Sequence, residues 1–215
     1  MEFNITLVRL NAMLEKLIGL LAVWIMNVIS SMGYGGIVLL MGIESACIPL
    51  PSEIIMPFAG YLVFKGEMVL WVVAFMGALG CVLGSIPAYY VGKTGGRKLA
   101  EKYGRFVLIS KKDLKMADDW FKNYGEIIIF IGRLLPAVRT FIALPAGIAR
   151  MNMTKFIIYT FVGSFIWCWA LAYIGMILGE QWDTLKVYFH EFHYVIAGGA
   201  IIFIIWYIRR HFQNN

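Results

Sequence analysis

Charged residues are scarce in this chain of 215 residues: 15 % are Asp, Glu, Lys or Arg, whereas 60 % are hydrophobic. Soluble domains carry about 25 % charged and about 45–50 % apolar residues. The shortage of charge therefore excludes a disordered chain and argues against a soluble globular enzyme. Because the apolar excess lies in long runs, the sequence predicts an all-α integral membrane protein, with residues 1–215 forming a single membrane domain.

Cysteines and catalytic motifs are also few. Cys47, Cys81 and Cys168 lie inside apolar stretches, and no pair has the spacing of a zinc or redox motif. We find no convincing Ser/His/Asp or Cys/His arrangement, P-loop or dinucleotide motif, so we expect no cofactor, no metal and no enzymatic activity. Lys and Arg (19) outnumber Asp and Glu (13). The positive-inside rule explains this excess more simply than a nucleic-acid partner does.

Several apolar segments have the length and composition of ordinary membrane helices. Residues 68–92 and 154–178 are good transmembrane candidates, and residues 194–208 predict a C-terminal transmembrane helix. An N-terminal helix is predicted at about residues 11–31, either spanning the bilayer or lying at its surface. The polar residues 93–126 carry nine Lys or Arg. They predict a basic cytoplasmic loop that contains an amphipathic helix and that could attract anionic lipid headgroups.

Two other apolar segments, residues 36–64 and 127–149, contain charges and prolines. The first holds Glu44 and Glu53, and the second holds Arg133 and Arg139. The prolines expected to break these segments are Pro49, Pro51, Pro57, Pro136 and Pro145. One charge at the bilayer centre costs roughly 2.5–3.5 kcal/mol, and an interior proline removes a helical hydrogen bond. We therefore predict two re-entrant hairpins, each returning to the side from which it entered.

The two hairpins and the helices that follow them form an internal repeat, at about residues 34–92 and 124–175. Seven residues separate Gly35 from Gly42 and Gly125 from Gly132, and twelve separate Gly80 from Gly92 and Gly163 from Gly175. A hairpin and one span make three passes, so the two units should be inverted, as in transporters. With the basic loop inside, the C-terminus is also cytoplasmic. Close helix packing is expected at Gly80, Gly84, Gly92, Gly163 and Gly175.

If the hairpins meet from opposite leaflets, two carboxylates face two guanidiniums near mid-depth. Arg133 and Arg139 suit a phosphate oxyanion through bidentate hydrogen bonds. Glu44 and Glu53 would pair with the arginines in the absence of substrate and could carry protons during turnover. Alternatively, the four residues form salt bridges that only hold the hairpins together.

At these residues the sequence resembles the DedA family, also called the SNARE-associated or VTT-domain superfamily. The resemblance covers about residues 30–180. Its elements are Glu44 before Pro49-Leu-Pro51-Ser52-Glu53, then Pro57 and Ala59-Gly60; Tyr89-Tyr90-Val-Gly92-Lys-x-Gly95-Gly96; and Phe130-Ile-Gly-Arg133-Leu-Leu-Pro136-Ala-Val-Arg139 with Ala146-Gly147 and Met151. The family's acidic and arginine positions correspond to Glu44, Glu53, Arg133 and Arg139.

The resemblance implies lipid translocation by a multi-pass protein of the bacterial cytoplasmic membrane. We predict a flippase for a phosphate-bearing lipid, namely undecaprenyl phosphate recycled for cell-envelope synthesis, with proton coupling as an option. One alternative is a flippase or scramblase for phosphatidylethanolamine or other phospholipids. Others are a proton-coupled exporter of small cations or drugs and a scaffold that transports nothing. The sequence leaves the oligomeric state open.

Overall fold

The computed structural model describes residues 19–48, 50–107, 125–136 and 138–181. The predicted C-terminal helix at residues 194–208 and the predicted amphipathic helix lie outside these ranges, as do the first residues of the predicted N-terminal helix. Within the described ranges the regular structure is helical, without β-strands. The all-α prediction is therefore confirmed for the described residues.

Seven α-helices follow one another in these ranges. They are α1 (Gly19–Met32), α2 (Tyr34–Ser45), α3 (Ser52–Phe64), α4 (Leu70–Val107), α5 (Ile128–Arg133), α6 (Ala143–Ile148) and α7 (Met153–Ile177), with 3-10 turns at Gly125–Ile127 and Leu178–Gln181. Two segments, Leu70–Gly95 and Met153–Glu180, are long and apolar enough to cross a membrane. The start of α7 is fixed locally by Asn152, whose side chain accepts hydrogen bonds from the backbone N–H groups of Thr154 and Lys155.

Helix α4 is longer than the sequence predicted. The expected boundary at residue 92 marks a change from apolar to polar side chains, but the backbone remains helical to Val107. No proline occurs between Pro87 and Pro136, and Lys, Arg, Glu and Ala at residues 97–102 are good helix formers. Residues 93–107 of the predicted basic loop are therefore helical, because polarity alone does not end a helix. The cytoplasmic location of this segment stays a prediction.

The chain leaves the helical conformation twice within the segments rich in charge and proline. The first break, described at residues 46–48 and 50–51, includes Cys47 with a positive φ of 67° and ends at Pro51, whose extended backbone precedes α3. The second break, residues 134–142, contains Pro136 and consists of successive turns. Both breaks leave backbone groups outside a regular helix, and both carry site residues at their edges.

Two of the prolines expected to break helices lie within helices instead. Pro57 is inside α3, where its missing N–H leaves the carbonyl of Glu53 without the usual helical partner. Pro145 lies in the first turn of α6, where backbone N–H groups have no intrahelical partner anyway. Their predicted role as hairpin breaks was therefore wrong. Pro49 lies outside the described residues.

The helices pack in a reciprocal pattern. Helix α2 packs on α4 and α5 on α7, whereas α3 packs on α7 and α6 on α4. The five glycines for which close packing was predicted lie at these crossings, where an added Cβ would collide with a neighbouring helix. The contacts are Gly80 with Val38, Gly84 with Gly42, Gly92 with Leu144, Gly163 with Arg133 and Gly175 with Pro57. Gly60 of α3 and Gly147 of α6 approach the backbones of Ala172 and Tyr89 in the same way. The absence of side chains thus allows direct backbone contact between helices.

Candidate functional site

Three of the four predicted charged residues are buried together. Glu44, near the end of α2, is 3 % exposed, and Arg133, the last residue of α5, and Arg139, in the second break, are each 1 % exposed. Each lies at or beside a point where a helix ends, so its side chain enters the space between the long helices. One carboxylate and two guanidiniums leave a formal charge of +1 in this cluster.

Arg139 is held by three different helices. Its Nη2 lies 3.2 Å from Glu44 Oε2 and 3.5 Å from the Sγ of Cys81 on α4. Its guanidinium carbon lies 5.3 Å from the ring centroid of Trp167 on α7, within the range of a cation–π interaction. These contacts fix the orientation of the guanidinium without using all of its donors.

Arg133 is held by a hydroxyl and makes no ion pair with the described residues. Its Nη2 donates to the Oγ of Ser85 at 2.5 Å, and that Oγ in turn donates to the backbone carbonyl of Cys81. The absence of a side chain at Gly163 lets α7 lie directly against the Cβ of Arg133. Arg133 therefore accounts for the excess positive charge of the cluster.

Unused hydrogen-bond donors are concentrated around the two arginines. Nε and Nη1 of both Arg133 and Arg139 are buried without a partner in the described part of the protein, and so is the indole N–H of Trp167. Buried hydroxyls at Thr160 and Ser164 on α7 are also unpaired. Because buried polar groups are nearly always hydrogen-bonded, such a set of donors with excess positive charge suits an anion with several acceptor oxygens.

Glu53 does not join the buried pair. It is half-buried at the start of α3, its Oε2 accepts a hydrogen bond of 3.4 Å from the Ser52 hydroxyl, and it makes no ion pair with the described residues. It still lies within electrostatic range of Glu44 and Arg139. The expected pairing of both carboxylates with the arginines is therefore not seen among the described residues, where Glu44 is paired with Arg139 and Glu53 is not paired with an arginine.

The two breaks contact each other directly. The thiol of Cys47 in the first break donates to the carbonyl of Thr140 in the second at 3.6 Å. Together with the pair between Glu44 and Arg139, this contact brings the two interrupted segments to the same place in the fold. The charged cluster is therefore assembled from residues that lie about 90 positions apart in the sequence.

Comparison with known proteins gives the family. The VTT domain matches residues 50–177, which include both arginines, Glu53, Ser85 and Trp167. The chain belongs to the VTT-domain (DedA) family.

Several relatives of this VTT-domain protein are named as transporters or membrane proteins. "Undecaprenyl phosphate transporter A" of Bacillus subtilis is 36 % identical over 80 % of this chain and 82 % of its own length. The Staphylococcus aureus protein of the same name is 30 % identical over 85 % of this chain and 92 % of its own. "Uncharacterized membrane protein YkoX" of B. subtilis is 35 % identical over 86 % of this chain and 81 % of its own length. No solved structure matches the chain. The family and the two apolar helices together establish a membrane location.

Sequence reasoning overlooked two residues of this VTT-domain site. Ser85 is a single hydroxyl within the apolar run of α4, and Trp167 lies in the middle of α7 rather than near a segment end. A polar side chain and a mid-span indole are both unusual at membrane depth, so each carried a usable signal. The spacing of residues could not show that each contacts an arginine.

Proposed function

We propose that this protein transports a phosphate-bearing lipid, undecaprenyl phosphate, between the leaflets of the bacterial cytoplasmic membrane, so that the carrier is reused in envelope synthesis. Two relatives named as undecaprenyl phosphate transporters support this substrate. In this proposal the charged cluster binds the transported lipid, and we propose no enzymatic activity for it.

The observation that carries the proposal is the unpaired charge of Arg133. A fully buried guanidinium without a carboxylate partner is costly, because its charge loses the stabilisation that water provides. The free Nε and Nη1 atoms of Arg133 and Arg139 can supply charge-assisted hydrogen bonds to the oxygens of a phosphate. A lipid phosphate would thus offset the positive charge and satisfy the donors at once, while its tail remains in the bilayer.

Glu44 and Glu53 have different tasks in this proposal. Glu44 holds Arg139 while the site is empty and must yield part of that interaction when phosphate enters. Glu53 is half-buried and free of an arginine, so it is the carboxylate available to exchange protons with the surroundings. Uptake and release of a proton at Glu53 would couple transport to the proton gradient.

Alternation between the leaflets would use the two repeats. The interrupted segments α2–α3 and α5–α6 are the proposed re-entrant hairpins, and the reciprocal packing of α3 on α7 and α6 on α4 supports two units of inverted topology. Rocking of one unit against the other would expose the charged cluster to each side in turn. In this arrangement the basic residues 93–126, which begin within α4, and the C-terminus face the cytoplasm, as the positive-inside rule requires.

A second candidate substrate is phosphatidylethanolamine. The free carboxylate of Glu53 favours it, because an ammonium group could pair there while the phosphate contacts the arginines. The two substrates differ in what the Glu53→Gln variant should do. Loss of the carboxylate should weaken recognition of the ethanolamine lipid, whereas for undecaprenyl phosphate it should remove only the response to a proton gradient.

The test is leaflet exchange of both labelled lipids in liposomes that contain the purified protein. We expect selective movement of undecaprenyl phosphate, lost in Arg133→Ala and in Arg139→Ala. Lys155→Ala is the matched control, because Lys155 is an exposed cation paired with Glu126 at 2.6 Å, outside the cluster. Normal transport by both arginine variants would refute the mechanism, and movement of phosphatidylethanolamine alone would favour the second candidate.

A further inference from the structure

A row of aromatic side chains follows the contact between α4 and α7. On α7 the rings recur at every fourth position, and on α4 two rings are four residues apart; the six are Trp71, Phe75, Phe161, Phe165, Trp169 and Tyr173. We call this set the aromatic ridge. Ring centroids across the two helices are 6.2 Å apart for Trp71 and Phe165 and 5.4 Å apart for Phe75 and Phe161. Along α7, the rings of Trp169 and Tyr173 stack at 5.0 Å.

The aromatic ridge lies at the edge of the protein: three of its rings are exposed, and those of Phe161, Phe165 and Trp169 are half-buried. Trp71 is 62 % exposed, Phe75 is 47 % exposed and Tyr173 is 38 % exposed. Elsewhere on the outside of α7 the exposed apolar residues are aliphatic: Ile158, Val162, Ile166, Ile174 and Ile177. Among the exposed large apolar residues of α7, the aromatic one, Tyr173, therefore belongs to the ridge, and the others are branched aliphatic residues.

An interfacial belt does not explain this arrangement. Such belts place Trp and Tyr at the level of the lipid headgroups. From Phe161 to Tyr173 the ridge covers twelve residues of α7, or about 18 Å along the helix axis. That length is more than half of the roughly 30 Å hydrocarbon core of a bilayer. A belt at one headgroup level fits Trp71 at the start of the segment Leu70–Gly95 and does not account for the whole ridge.

The aromatic ridge is continuous with the charged cluster through the α4–α7 contact. Trp169 is next in sequence to Cys168, which lies with Cys81 of α4 in one buried cluster. The sulfur of Cys81 contacts Arg139. The outer edge of this helix pair thus bears the ridge, and its inner side reaches the arginine proposed to bind phosphate.

We propose that the aromatic ridge binds the isoprenoid tail of the transported lipid. This inference rests on the proposed function, since it assigns the tail of a lipid whose phosphate lies at Arg133 and Arg139. An isoprenoid chain carries a double bond and a methyl branch in every unit, and both can pack against ring faces. A straight saturated chain offers neither feature, so the ridge adds selectivity for the tail to the selectivity of the arginines for the headgroup.

Binding can be tested without transport or a phosphate. Wild-type protein in nanodiscs is irradiated with a neutral polyprenol that carries a photoactivatable group, and with a saturated long-chain alcohol that carries the same group. We expect the polyprenol to label residues 161–173 and 71–75 preferentially, and an excess of unlabelled polyprenol to suppress the labelling. Equal labelling by both probes, or cross-links between two copies of the chain at the ridge in place of lipid labelling, would overturn the proposal.

Transport provides the second readout. Leaflet exchange is compared for undecaprenyl phosphate and for a saturated alkyl phosphate in wild type and in the double variant Phe165→Leu and Trp169→Leu. We expect the ratio of the two rates to fall by about tenfold, because two aromatic contacts are lost while apolar area is largely retained. Ile166→Leu, on the aliphatic surface of the same helix, is the matched control and should keep the wild-type ratio. An unchanged ratio in the double variant would refute the assignment.

The two readouts separate this inference from the proposed function. If wild type moves neither phosphate lipid but the polyprenol still labels the ridge, the transport proposal fails and the tail site remains. If Arg139→Ala abolishes movement of both lipids while the ridge variants leave the ratio intact, the transport proposal stands and the tail site fails. The conservative Phe→Leu and Trp→Leu changes are checked by retained elution volume and thermal stability.

Discussion

Replacing Glu44 by glutamine would remove the carboxylate paired with Arg139 while preserving the size of the side chain. The oxygen lies 3.2 Å from Arg139 Nη2, and both residues are buried. At an effective dielectric constant of about 20, two unit charges at this distance attract each other by about 5 kcal/mol. Breaking a buried pair typically destabilises a protein by about 3–5 kcal/mol, because the remaining charge is left uncompensated.

The consequence for function has the opposite sign. The formal charge of the cluster rises from +1 to +2, and an entering phosphate no longer competes with a carboxylate for Arg139. We therefore expect Glu44→Gln to bind undecaprenyl phosphate at least about tenfold more tightly, since only about 1.4 kcal/mol of the lost attraction must be recovered. Transport should slow because release becomes limiting. Equilibrium binding in nanodiscs and leaflet exchange in liposomes measure the two effects separately.

The matched control is Glu126→Gln, which removes the carboxylate of a pair with Lys155 that is largely exposed. Such surface pairs contribute about 0–1 kcal/mol, so its stability, binding and transport should stay near wild type. Weaker binding of the phosphate lipid to folded Glu44→Gln protein would refute the reasoning, because it would mean that the carboxylate helps to hold the substrate.

Three further predictions concern the surroundings of the cluster. Gly84→Ala should destabilise the protein by about 1–3 kcal/mol in thermal unfolding, because its Cβ would overlap the backbone of α2; Gly35→Ala, with open space around it, should be neutral or stabilising by up to about 1 kcal/mol. Trp167→Leu should weaken lipid-phosphate binding several-fold through loss of a cation–π contact of about 0.5–2 kcal/mol, whereas Trp167→Phe should retain most of the affinity. Ser85→Ala should lower lipid-phosphate binding about tenfold, because the guanidinium of Arg133 loses the hydrogen bond that orients it, and Ser85→Thr should restore the binding. Equal binding by both variants would contradict a positioning role.

Part of this arrangement could be predicted from composition and spacing. Charges and prolines inside apolar segments indicated interrupted helices, and the backbone does leave the helical conformation at residues 46–51 and 134–142. The charges were expected to meet, and Glu44, Arg133 and Arg139 lie together. Such predictions succeed because the cost of isolated charge and of unpaired backbone in an apolar setting is large compared with local propensity.

The remaining features depend on how the helices cross, which sequence spacing does not encode. Ser85 contacts Arg133 only because α4 and α5 approach at that level, and Glu53, half-buried at the start of α3, accepts a hydrogen bond from Ser52 and makes no ion pair with the described residues. Proline was also an ambiguous signal: Pro51 precedes a helix, whereas Pro57 is inside one. The extension of α4 to Val107 followed helix propensity rather than hydropathy.

The reciprocal packing of α3 on α7 and of α6 on α4 has a consequence for biogenesis. During synthesis α3 is complete about 90 residues before its partner α7 begins, so its surface around Gly60 stays uncovered while the rest of the chain is inserted. Contacts this distant in sequence form late and slowly. Neither half can mature alone, and a ribosome stalled after α4 would leave an incomplete intermediate in the bilayer. Two separately expressed halves should accumulate only when produced together, each serving as the folding template of the other.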